Sequence, residues 1–241
     1  MCIYLNLSLY KYMKLKAFSI TSKAGQVLNW SLSLFVVFSV FNLVDGWTSA
    51  PNDGQGVFTQ AFATLQGNDC IRAVEYFVIA ATKLTMLETF RRCLNKNGHK
   101  AVQLTLTIMM ALIFSLALAD ILPMFLFSSE DRVQAILNGG LPSLFTSFSK
   151  IAYLVLVLTK FILCVQLVKN FAGKIRLFGV SLFGCQLLSW VIDLVYLFVY
   201  TYVGGVSMAD ISTLYTFITL FNFVILLLPF CILKTTMVKN D

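Results

Sequence analysis

The sequence predicts an all-α, polytopic integral membrane protein: six transmembrane helices, both termini cytoplasmic, arranged as three helical hairpins. Three observations carry that expectation. Of 241 residues, 59% are hydrophobic and only 12% charged, with a mean hydropathy of +0.83, where a soluble domain is roughly 45–50% apolar and about 25% charged. Apolar runs long enough to span a bilayer, about 20 residues, recur along the chain. Basic and non-basic connections alternate between them.

Residues 1–26 read as a basic cytoplasmic tail carrying Lys11, Lys14, Lys16 and Lys23, with no early apolar core of the kind a cleaved signal peptide needs. Five runs qualify as spans on apolarity alone: about 27–44, 101–127, 146–168, 177–203 and 211–233. The segment at about 71–90, "IRAVEYFVIAATKLTMLETF", is ambiguous, because Glu75, Lys83 and Glu88 would also suit an amphipathic helix in the membrane interface. Loop charge decides its role. The 45–70 connection holds Asp45, Asp53 and Asp69 without a basic residue, and the next one holds Arg91, Arg92, Lys96 and Lys100. Glu130 and Asp131 outweigh Arg132 in the third, and the fourth brings Lys169, Lys174 and Arg176. The last turn holds only Asp210, and residues 234–241 form a short cytoplasmic tail with Lys234 and Lys239. Basic residues favour the cytoplasmic side, so the alternation holds only if 71–90 crosses. The cellular location expected is a multi-pass protein of the bacterial cytoplasmic (inner) membrane.

A repeat runs through these spans. "YFVIAATKL" from Tyr76 matches "YLVLVLTKF" from Tyr153, and "YTFITLFNF" from Tyr215 places Asn222 where the others place Lys83 and Lys160. The odd spans contribute Asn42, Asp120 and Asp193, and a glycine precedes each pair in "KAGQV", "KNGHK" and "FAGKI". Triplication and convergence on one polar pattern both account for this.

The candidate functional residues are the polar groups inside the spans: Asp193, Lys160, Lys83, Asp120, Glu75, Asn42 and Asn222. An ionisable group near the bilayer centre costs about 2.5–3.5 kcal/mol on insertion scales, so several in one small protein call for a reason. A rise of about 1.5 Å per residue sets Lys83 about 12 Å above Arg91 and Lys160 about 13 Å above Lys169. Asp193, Glu75 and Asp120 come out at about 25, 24 and 30 Å from the basic ends of their helices. Two layers are therefore expected, lysines at inner depth and carboxylates further out. A snorkelling lysine or a structural pair would explain them without a functional path. Gly179 and Gly184 are expected to let the fifth span pack closely.

Other chemistry finds no support. His99 is the one histidine, and the six cysteines form no C-x-x-C pair, so no metal site, haem or other cofactor is expected. There is no Walker loop, no G-x-S-x-G and no H-E-x-x-H, and the chain reads as a non-enzyme. The net charge of +7 sits between the apolar runs, as membrane orientation requires, and does not mark a nucleic-acid surface.

Over about residues 101–236 the chain resembles an uncharacterised family of small four-span bacterial membrane proteins, on hairpin topology and the basic turn "KNFAGKIRLFG". That family is a domain of unknown function, so the resemblance implies a membrane fold and no activity. The first function expected is a non-enzymatic membrane component, scaffolding, regulatory or immunity-like, that binds another membrane protein or a second copy within the lipid bilayer. The alternative is a transporter or channel for a small solute or protons, with the intramembrane charges as its path.

Overall fold

The computed structural model describes residues 18–48, 69–95, 99–127, 140–202 and 208–237. Among them stand six helices: α1 Ser22–Thr48, α2 Asp69–Asn95, α3 Lys100–Leu126, α4 Leu141–Asn170, α5 Gly173–Tyr202 and α6 Met208–Lys234. At 27 to 30 residues each, they are about 40–45 Å long, a full bilayer with its headgroups. All begin or end outside the apolar runs, most visibly α1, which starts inside the expected tail. Hydropathy marks only the lipid-immersed part, whereas the i→i−4 ladder continues through the interfacial turns. Residues 49–68, within the 45–70 connection, lie outside the described residues.

Five of the helices, α1 and α3 to α6, are long and apolar enough to cross a membrane. Large apolar side chains such as Leu104, Phe125, Ile151 and Phe217 remain exposed on them, far more than a water-soluble surface carries. The chain is a helical, multi-pass membrane protein. Inside the helices, Thr82, Thr105 and Thr159 return their hydroxyl hydrogens to carbonyls one turn back, at 2.8, 3.1 and 2.8 Å, so these groups need no water.

Each helix packs principally against the two beside it in sequence, and α6 closes back onto α1. The result is a closed up-and-down ring of six staves around a lumen. The lumen differs between its two ends. At the basic end it is filled by apolar side chains from the first half of the odd helices and the second half of the even ones. The buried positions recur with one spacing: Leu28, Leu32 and Phe35 on α1, Val102, Leu106 and Met109 on α3, and Ile175, Gly179 and Leu182 on α5. On the even helices Met86, Phe90 and Leu94 correspond to Leu163, Leu167 and Phe171, and to Ile225, Pro229 and Leu233.

Residues 18–25 and 235–237 seal the same face. Ile20 N–H donates to Thr236 O at 2.9 Å, and the Lys174 ammonium donates to Thr235 O at 2.7 Å. Gly25 admits Met237, whose Sδ stands 2.3 Å from where a Cβ would sit. Phe18 lies against Phe90 and Phe171, with ring centroids 6.2 and 5.6 Å away. His99 is half-buried with its ring centroid 4.6 Å from that of Phe171, because the aromatic floor reaches the start of α3.

Candidate functional site: a polar cavity in the lumen

Above the apolar floor the lumen opens into a cavity of about 630 Å³ walled by all six helices. Five of the seven sequence candidates line it: Asn42 on α1, Lys83 on α2, Asp120 on α3, Lys160 on α4 and Asn222 on α6. Asp193 on α5 is not in the wall but accepts a hydrogen bond from Asn222 Nδ2 at 3.2 Å. Glu75 lies outside the cavity wall, half-buried on α2 two turns before Lys83. The three tyrosines that mark the repeat, Tyr76, Tyr153 and Tyr215, all line the cavity.

The lysines sit at the bottom. The Lys83 ammonium stands 5.4 Å from the Phe35 ring centroid, a cation–π geometry. Phe35 is fully buried and meets Phe230 edge-on at 5.5 Å. Lys160 donates to Gln186 Oε1 at 2.6 Å, and Gln186 Nε2 in turn donates to the Tyr153 hydroxyl. Both ammonium groups bend into the lumen, so neither uses the snorkelling route to the headgroups. A direct Lys83–Asp193 bridge is absent, since α2 and α5 face each other across the ring and Asp193 is held by Asn222. Along their helices the carboxylates lie further from the floor. Asp120 lies eleven positions past Met109, about 16 Å along the helix, and Asp193 the same distance past Leu182.

That common register corrects one pairing. Asn42 lies seven positions past Phe35, so it matches Leu116 and Ser189, one turn below Asp120 and Asp193. Asp120 and Asp193 remain equivalent.

Charge is unevenly matched. Lys83 is within electrostatic reach of Asp120 and of Lys160, yet neither lysine forms an ion pair among the described residues. Asp120 likewise has no hydrogen bond or ion pair among them. The wall therefore carries two ammonium groups and one carboxylate, held apart.

Sequence reasoning missed Gln186 and Ser189. Ser189 Oγ donates to Asn222 Oδ1 at 2.9 Å, completing a chain Ser189–Asn222–Asp193 across α5 and α6. The signal was present: Gln186, Ser189 and Asp193 follow i, i+3, i+7 spacing, one face of a helix. Gly179 behaves as expected, meeting Leu167 closely, whereas Gly184 faces open space. Among the described residues no cluster of histidine, cysteine and carboxylate could hold a metal ion. Against known proteins the chain stands without a match: no family model, no curated protein and no solved structure corresponds to it.

Proposed function

We propose that the chain is a six-span, N-in/C-in transporter of small solutes, whose cavity is reached from the extracytoplasmic side and is closed toward the cytoplasm by the apolar floor. One observation carries the reading. Polar groups from every helix converge on one lumen that ends on a buried hydrophobic layer. A scaffold that pairs laterally with another membrane protein would carry its polar groups on outward faces, where a partner could reach them. Here the outward faces are largely apolar and most of the polar groups are internal, Asp193 being exposed beside the cavity wall, so the transport alternative is favoured over the scaffold.

The ring also accounts for α2. As one stave among six, it turns Lys83 to the lumen and not to lipid, while Arg72, Glu75, Glu88, Arg91 and Arg92 fall toward its ends. Glu88 accepts from Arg91 and Arg92, each at 2.7 Å, near the basic end. The recurrence of the buried positions on all three hairpins supports triplication, a construction common among transporters.

The test is uptake of a labelled metabolite mixture into reconstituted vesicles, read by mass spectrometry. The expected outcome is enrichment of a restricted set of solutes that Lys160→Met abolishes in a folded, monodisperse protein. No enrichment, together with stoichiometric capture of another membrane protein that Asp193→Asn releases, would return the scaffold reading.

A further inference from the structure

We propose that the floor of the cavity is a binding seat for a small organic monoanion of the carboxylate class, held between the ammonium groups of Lys160 and Lys83 and oriented by Gln186 and Tyr153. The inference rests on the transport reading for its route of access and goes beyond it in naming the ligand chemistry.

The two lysines converge on one space. Lys83 and Lys160 come from different helices on either side of α3, and their ammonium groups feel each other across the same space. Two like charges brought together in a membrane are costly unless something negative stands between them. Asp120 is not that group, being higher on α3 and out of contact with either lysine.

Donor capacity is also left over in the wall. An ammonium has three N–H donors, and Lys160 places one on Gln186. Tyr153 receives the Gln186 amide hydrogen on its oxygen, leaving its own hydroxyl hydrogen to donate. Lys160 and Tyr153 thus present donors to one region of the wall, which suits the two oxygens of a carboxylate.

Charge and shape narrow the class. Lys83, Lys160 and Asp120 sum to +1, so a single negative charge makes the wall neutral. The cavity of about 630 Å³ is far larger than an inorganic anion, and Met109, Ile113, Leu156 and Leu182 offer apolar wall for a carbon body. A cavity in the few-hundred Å³ range with a few convergent polar groups is the usual form of a small-molecule site.

Cys185 provides the reporter, because it lines the same cavity beside Gln186 and carries no disulfide. Full-length protein in right-side-out vesicles is treated with anionic sulfonatoethyl methanethiosulfonate or the cationic trimethylammonium analogue, and peptide mapping reads the Cys185 adduct alone. The anionic reagent should react at least about tenfold faster than the cationic one, the order by which a charged cleft raises local rates. That preference should shrink in Lys160→Met and in Lys83→Met, and benzoate should slow a neutral methylthiolating thiosulfonate where choline does not. If both charged reagents reach Cys185 equally, if the cationic one is faster, or if both lysine variants keep the preference, the anion seat is wrong while the open vestibule stands. If neither reagent reaches Cys185 from the outer side, the seat and the vestibule fall together.

Discussion

Replacing Phe35 with alanine tests the floor on which the transport reading depends. The ring is fully buried, meets Phe230 at 5.5 Å and lies under the Lys83 ammonium at 5.4 Å. The usual transfer term is small here, because lipid is as apolar as the site the ring leaves. What remains is packing. A void of about 100 Å³ at roughly 24 cal/mol per Å³ amounts to about 2.4 kcal/mol. The edge-on aromatic pair adds about 0.5–1.5 kcal/mol, so the loss comes to about 3–4 kcal/mol. For a chain of this size each kcal/mol lowers Tm by about 2–4 °C, giving a fall of roughly 6–16 °C in detergent, read by intrinsic tryptophan fluorescence. Phe35→Leu, which keeps most of the volume, should lose less than half as much. In vesicles Phe35→Ala should also leak small ions that the parent protein retains. An unchanged Tm together with an unchanged leak would show that Phe35 closes nothing.

Two further tests address packing and orientation. Gly179→Ala places a Cβ 2.8 Å from Leu167 Cβ, which cannot swing aside, so thermal unfolding should show a loss of about 1–3 kcal/mol. Gly184→Ala, with nothing within 4 Å, should be neutral or slightly stabilising. A protease-protection reporter fused after Arg92 should remain cytoplasmic, and a thiol introduced at position 53 should be labelled from outside. Both sites on one face would show that α2 does not cross, and the reverse assignment would invert the orientation.

Much of the architecture was legible because a bilayer imposes simple rules on a chain. Apolar length identified five span helices outright; charge alternation led us to expect a sixth crossing at 71–90, which apolarity alone rejects and which stands in the structure as the helix α2. The polar residues were legible individually, since each is costly in lipid, and five of seven do meet in one cavity. Their partners were harder to read. Gln186 and Ser189 are ordinary uncharged residues whose role emerges only when α4 and α6 stand on either side of α5. The pairing of Asp193 with Asn222 depends on ring order, which hydropathy does not encode. The one-turn slip of Asn42 had a similar origin, because matching strings by residue type ignores the buried positions below them. The floor was invisible for the plainest reason: in an apolar span, the leucines that close a lumen look like those that face lipid.

Lys160 separates a structural role from a functional one by the sign of a stability change. A structural lysine is stabilising in place, and its removal leaves a partner exposed, so Lys160→Met should then lower Tm by several degrees. The geometry argues for the reverse. Its one hydrogen-bond partner, Gln186, is neutral, no carboxylate pairs with it among the described residues, and a like charge, Lys83, is within reach. Methionine fills nearly the same volume without the desolvation cost, and replacing buried charge by apolar side chains is often stabilising by about 1–4 kcal/mol. Lys160→Met should therefore raise the Tm of the unliganded protein by roughly 2–16 °C on the same per-residue scaling, while removing uptake. Lys83→Met should gain less, since it gives up the Phe35 contact and strips Asp120 of its nearest opposite charge. A protein that becomes more stable and inactive together holds that charge for a ligand, and one that becomes less stable holds it for itself.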